Sequence, residues 1–215
     1  MSNLLLAFGY GYCAAALARR LLAQGSTVRG TTRRPERAAA EEVELLRFDR
    51  RHLLPAAAFA GVTHVLSSIA PDEAGDPVLD LHGADLRALP GLRWVGWLGT
   101  TGVYGDHGGA WVDETTPLEP TLARTDRRAR AEQAWLASGL PVHIFRLAGI
   151  YGPGRNAFVN LKDGTARRIV KPGQVFSRIH VEDIASVLEA SIARPDPGAI
   201  YNVCDDEPAP PQDVV

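Results

Sequence analysis

Apolar residues follow two rhythms along this chain. Leu4, Leu5, Leu6, Ala7 and Phe8 form an unbroken run closed by Gly9 and Gly11, which predicts a strand buried on both faces. Then Ala14, Leu17, Ala18, Leu21 and Leu22 recur at i, i+3, i+4, i+7 and i+8, one face of a helix, with Gln24-Gly25 as its stop. The pattern continues with strands at 27–32, 43–48, 61–69 and 92–98. Between them it predicts a short helix at 35–42 and a longer one at 77–89, closed by Pro90-Gly91; another helix is expected at 183–192. Alternating β and α units of this size predict a parallel sheet with right-handed crossovers, a Rossmann-type doubly wound α/β fold. In that architecture ligands lie at the carboxyl ends of the strands.

The glycines give the first turn a chemical role. Gly9-x-Gly11-x-x-Ala14 follows a strand and opens a helix, the context that makes a dinucleotide-binding fingerprint informative. A residue without Cβ suits the tight turn and lets a phosphate approach the backbone. The helix N-terminus then offers free N–H groups and partial positive charge. Gly9, Tyr10, Gly11, Tyr12 and Cys13 are therefore candidate cofactor contacts, Cys13 also being read as a small packing residue. At the end of the second strand an acid would accept from a ribose 2′-hydroxyl, and an arginine would pair a 2′-phosphate. The chain carries Arg33 and Arg34, with no acid before Glu36. That favours NADP over NAD, the alternative being a solvated loop. Asp49 either contacts the adenine or caps a helix. Ser68 and Ala70 end the fourth strand with small residues suited to a ligand crossing the sheet edge.

Length and composition narrow the class. The chain has 215 residues, 46% hydrophobic and 22% charged, with a net charge of −2. These values fit a single globular domain, residues 1–215. They give no reason to expect nucleic acid or an anionic membrane as partner. No stretch is apolar for long enough to span a bilayer, and the N-terminus lacks signal-peptide features, so a cytoplasmic protein is expected. Two cysteines far apart, Cys13 and Cys204, give neither a disulfide framework nor metal-ligand spacing, and no metal is expected.

Later motifs carry a family resemblance. Gly99-Thr100-Thr101-Gly102-Val103-Tyr104-Gly105, Pro117-Leu118-x-Pro120, Arg146 to Arg155 (RLAGIYGPGR), Arg178 to Ala185 (RIHVEDIA) and Tyr201-Asn202-Val203 occur in order. The chain resembles the extended short-chain dehydrogenase/reductase superfamily, of the NAD(P)-dependent epimerase/dehydratase type. The resemblance covers nearly the whole chain. It implies substrate-side segments at about 149–178 and 205–215, and further chain beyond a C-terminus that looks short, so the substrate region is expected to be incomplete. It also implies a small-molecule substrate and a homodimer.

The family's catalytic Tyr-x-x-x-Lys is missing. Aligning Ala131-Glu132 on the family's Ala-Glu places Arg124 at the tyrosine position and Arg128 at the lysine position. A tyrosine, with an ordinary pKa of about 10, can be tuned by a cation, whereas arginine stays protonated and cannot cycle a proton. Thr100 matches the family's carbonyl-polarising Ser/Thr, and Tyr104 is a candidate substitute acid, the alternatives being packing or substrate contact. Arg128 is a candidate cation near the cofactor ribose. Thr101, Arg124, Arg155 and His180 are candidate substrate contacts, with His180 otherwise fixing its own turn. Arg127 and Arg130 are expected on a solvated face, opposite a core side of Ala131, Ala134 and Trp135. The resulting expectation is an NADP-dependent epimerase or reductase acting on a carbonyl or nucleotide-sugar-like substrate. The alternative is an NADP-binding sensor or interaction protein without hydride transfer.

Overall fold

The computed structural model describes residues 3–37, 43–168 and 170–214. Seven parallel strands form the central sheet: β1 (Leu4–Phe8), β2 (Thr27–Thr32), β3 (Glu44–Arg47), β4 (His64–Ser67), β5 (Trp94–Thr100), β6 (Val142–Leu147) and, after two short strands, β9 (Ile200–Val203). Their order is β3-β2-β1-β4-β5-β6-β9. The chain runs outward from β1 in one direction, then returns to pair β4 on the other side of β1. That reversal leaves a crevice between the carboxyl ends of β1 and β4.

Strands buried on both faces favour apolar residues at successive positions; β5 follows this over Trp94–Leu98 with Gly96 between, and β6 is buried throughout although His143 and Arg146 interrupt its apolar run. On one face, α1 (Tyr12–Ala23) packs against α5 (Val181–Ala193) through Ala14, Leu17, Ala18, Ile184, Ala185 and Leu188. Arg20 pairs with Glu189 at 2.6 Å and Arg19 with Glu182 at 2.6 Å along the seam. On the other face, α2 (Pro77–Arg87) and α3 (Ala123–Leu136) cover Leu6, Phe8, Val65, Val95, Trp97 and Ile144. Each fully buried Leu, Ile or Phe in these layers contributes roughly 1.5–3 kcal/mol. A short parallel pair, β7 (Gly149–Tyr151) with β8 (Arg178–His180), and α4 (Ala157–Lys162) form a small outlying region beside the main sheet.

Several boundaries depart from the sequence pattern. The fourth strand begins at His64 because Gly61 adopts φ +74° and the chain is still turning there. The expected helix at 35–42 is a 3₁₀ turn over Pro35–Arg37, and its remainder lies outside the described residues. A 3₁₀ turn at Ala56–Phe59, buried through Ala58 and Phe59, has no counterpart in the periodicity. Helix α5 starts at Val181, two residues before the expected position, because His180 caps it: its Nδ1 accepts from the Glu182 N–H at 3.3 Å.

Candidate functional site

The first glycine turn is built by contacts that would not tolerate larger residues. Gly9 has φ +84°, and a Cβ there would stand 2.8 Å from Ser68 Oγ. The Gly9 N–H donates to Thr31 Oγ1 (3.0 Å), the Tyr10 N–H to the Thr31 carbonyl (2.7 Å), and the Ser68 hydroxyl to the Gly9 carbonyl (2.6 Å). The turn is thus fixed to β2 on one side and to the end of β4 on the other. The Tyr10 ring lies over β2 so closely that a Cβ at Gly30 would sit 2.8 Å from it. Gly11 is the N-cap of α1, and no side chain caps that helix. Its first N–H groups therefore face the crevice available to an anion.

That crevice is a groove of about 540 Å³. Gly9, Tyr10, Gly11, Thr31, Thr32, Arg33, Asp49, Ser68 and Ala70 line it, among others. Of the expected cofactor contacts, the structure brings Gly9, Tyr10, Gly11, Arg33, Asp49, Ser68 and Ala70 together there. Arg34 is exposed and does not line it. Cys13 is buried against the core, and burial pushes its thiol pKa up, which fits the packing reading. Tyr12 is turned away, donating its hydroxyl to the Pro153 carbonyl at 2.9 Å. Asp49 caps no helix. It closes a tight turn, accepting from the Arg51 N–H (2.8 Å) and pairing with His52 Nδ1 (2.8 Å), and these bonds hold its pKa below the ordinary carboxylate value.

The residues expected to carry chemistry are placed differently. Thr100 ends β5 half-buried, and its Oγ1 accepts from the Gly102 N–H at 3.2 Å, leaving its own proton to donate. Thr101, half-buried, begins the 3₁₀ turn Thr101–Tyr104. Tyr104, the candidate substitute acid, is enclosed and engaged. It is 2% exposed, its hydroxyl donates to Asn202 Oδ1 (2.8 Å) and accepts from Arg146 Nη1 (2.5 Å). Arg146 in turn pairs with buried Glu132 at 2.6 Å. Burial would lower the Arg146 pKa, but the bonds to Glu132 and Tyr104 outweigh it and raise it. Glu132 therefore occupies the core side of α3, where Ala134 was expected; Ala134 is exposed.

The α3 arginines also separate. Arg124 is exposed at the first turn. Arg128 is half-buried and donates from Nη1 to the Leu98 carbonyl at 3.1 Å. Burial lowers its pKa, and the nearby Asp76 carboxylate partly offsets this. Arg130 pairs with Asp126 at 2.9 Å on the surface. Arg127, expected to be solvated, is half-buried and lines a second pocket of about 560 Å³ with Arg50, Pro71, Asp72, Glu73 and Ala74. Arg155 is exposed in the turn after β7, close enough for its charge to act on Cys13. His180, as α5 cap, fixes its own turn.

One feature of the site escaped the sequence reading. Asp76, 2% exposed, accepts from the Val78 and Leu79 N–H groups at the start of α2 and from the indole N–H groups of Trp97 (3.0 Å) and Trp135 (2.9 Å). It anchors the loop after β4 to β5 and α3. The signal available was Asp76-Pro77 before an apolar run, the N-cap and N1 preference of a helix; the two tryptophans could not be assigned to it from spacing.

Comparison with known proteins fits this geometry. No protein-family model matches the chain. It is 32% identical over 119 residues to protein YeeZ of Escherichia coli strain K12, a match that spans 49% of this chain and only 37% of YeeZ. A structure from Methylobacillus flagellatus, provisionally assigned by name as an NAD-dependent epimerase/dehydratase, superposes with a TM-score of 0.79 at 28% identity, over 99% of this chain and 79% of that one. A functionally unknown conserved protein from Silicibacter pomeroyi DSS superposes with a TM-score of 0.90 at 57% identity, over 100% of this chain and 76% of that one. The chain belongs to the family of that functionally unknown Silicibacter protein, and its structural neighbours include NAD-dependent epimerase/dehydratase-like proteins.

Proposed function

We propose that the protein binds a nicotinamide dinucleotide across the crevice between β1 and β4, with NADP preferred over NAD. The observation that carries this reading is the glycine turn: a positive-φ Gly9 locked to Thr31 and Ser68 beside an α1 N-terminus that no side chain caps. The residues present fit the group. The pyrophosphate would lie on the N–H groups of α1 and the adenosine half between Thr32, Asp49 and Ala70, all at the groove wall. Arg33, exposed at that wall where an NAD-selective protein would carry an acid, supports a 2′-phosphate. The relative from Methylobacillus is named for NAD dependence, so cofactor choice is itself a test. In titrations, NADPH is expected to bind more tightly than NADH, and Arg33→Ala to remove the difference.

On this reading the protein is an epimerase or reductase of a carbonyl or nucleotide-sugar-like substrate. The dinucleotide supplies hydride transfer when bound. Thr100 would donate its hydroxyl proton in a hydrogen bond to the substrate carbonyl, from the carboxyl end of β5. A guanidinium offers only donors and no proton-accepting atom, so water would fill the role of the missing tyrosine. NADPH absorbance followed against a panel of aldehydes, ketones and nucleotide sugars tests this, with Thr100→Ala expected to abolish turnover and keep cofactor binding. A second reading, a dinucleotide-binding protein without turnover, is favoured by the engagement of Tyr104 and Arg128 in internal hydrogen bonds. Tight NADPH binding with no consumption across the panel would select it.

A further inference from the structure

We propose that Arg127 is a phosphate-binding residue of the dinucleotide site, closing over the ligand from α3. The inference rests on the dinucleotide reading above. Besides Arg33 at the groove wall, the candidates are Arg50 and the four arginines of α3, and the geometry distinguishes them. Arg128 is turned inward to the Leu98 carbonyl. Arg130 is paired with Asp126, and Arg124 is exposed outside both pockets. Arg50 is held by two carboxylates: it donates to Asp72 at 2.6 and 2.8 Å, to Asp80 at 2.8 Å and to the Gly75 carbonyl at 3.2 Å. Arg127 differs from all of these, because its Nε is buried and has no hydrogen-bond partner among the described residues.

A buried guanidinium N–H without a partner costs stability unless a ligand satisfies it. Arg127 lines a pocket that shares Arg50 and Asp72 with the glycine-turn groove. The two spaces therefore adjoin at Arg50 and Asp72, with the glycine turn lining one and Arg127 the other. Of the two carboxylates lining the Arg127 pocket, Asp72 is paired with Arg50, and neither Asp72 nor Glu73 forms an ion pair with Arg127 among the described residues. The anionic groups of a dinucleotide are its pyrophosphate and, in NADP, the 2′-phosphate. A guanidinium binds either through charge-assisted hydrogen bonds.

The test is titration of NADPH, NADH and ADP-ribose into the full chain and into Arg127→Leu, Arg127→Lys and Arg128→Leu. Arg127→Leu is expected to weaken NADPH binding by roughly tenfold to a hundredfold, as loss of a charge-assisted hydrogen bond does. Its ligand-free unfolding temperature should stay at or above that of the natural chain, and Arg127→Lys should recover part of the affinity. Equal losses for all three ligands identify the pyrophosphate as the group held, and a loss confined to NADPH identifies the 2′-phosphate. Arg128→Leu, by contrast, should lower the ligand-free unfolding temperature. If the natural chain binds and Arg127→Leu binds equally well, the role of Arg127 is overturned and the dinucleotide site stands. If the natural chain binds none of the three ligands, both fall.

Discussion

At the scale of single residues, the functional edge is set by positions whose neighbours are close in space and far apart in sequence. Gly9 was legible because its constraint is local: a strand ends, the chain turns with φ +84°, and a helix begins. Gly9→Ala places a Cβ 2.8 Å from Ser68 Oγ in a conformation that disfavours side chains. It is expected to cost about 1–3 kcal/mol by chemical denaturation and to weaken dinucleotide binding. Tyr104 was not legible. Its partners Arg146, Asn202 and, through Arg146, Glu132 come from β6, β9 and α3, and a tyrosine in a functional loop looks the same in sequence whether it is reactive or packed. Tyr104→Phe leaves Asn202 Oδ1 and one Arg146 N–H without this partner, and is expected to lower stability by roughly 1–3 kcal/mol. Glu132→Ala leaves the Arg146 cation buried and unpaired, a change on the order of 3–5 kcal/mol. Denaturant midpoints of the two variants would check both, and wild-type stability in Tyr104→Phe would remove the structural role given to this hydroxyl.

At the scale of elements, β1 to β5 and α1 were readable from apolar spacing, since burial on one or both faces dictates the period, whereas β6 and β9 were signalled only by the family resemblance. The loops between elements were less readable, because tertiary hydrogen bonds place their ends. The start of α2 depends on Asp76, which receives two backbone N–H groups and two indole N–H groups from elements up to 59 residues away in sequence. Asp76→Ala removes the helix cap, worth about 0.5–2 kcal/mol. It also strands two buried indole N–H groups at roughly 1–3 kcal/mol each. A strongly lowered unfolding temperature, with red-shifted or broadened tryptophan emission from Trp97 and Trp135, is the expected outcome; unchanged stability and emission would show that the indoles do not depend on this carboxylate. Arg128 takes part in the same anchoring: it lies near Asp76 and donates to the Leu98 carbonyl, which ties α3 to β5.

At the scale of the whole molecule, acid should weaken the fold through buried histidines. His64 is 5% exposed at the start of β4, and burial, with Arg93 nearby, lowers its pKa from 6.5 to about 4. His143 is fully buried, facing the Val95 carbonyl through Nδ1 and accepting from the Asp196 N–H through Nε2 at 2.8 Å, and burial lowers its pKa too. Both are neutral in the native state and bind protons on unfolding. Their contribution is therefore fully present above pH 6.5 and is lost as pH falls toward the native pKa. For His64 alone the loss approaches about 3 kcal/mol below pH 4. His64→Gln should flatten the stability profile between pH 6.5 and 4, and an unchanged acid limb would assign that loss to other groups.

The central claim is that the crevice between β1 and β4 holds a nicotinamide dinucleotide. The most direct measurement is thermal unfolding of the natural chain and of Gly9→Ala, each with NADPH, NADH or no ligand. A ligand bound only by the native state adds about 2.7 kcal/mol at a hundredfold excess over Kd, a rise of several degrees for a domain of this size. The expected result is a clear rise for the natural chain, larger with NADPH than with NADH, and little or none for Gly9→Ala. No rise with either nucleotide, or an equal rise in the glycine variant, would contradict the account.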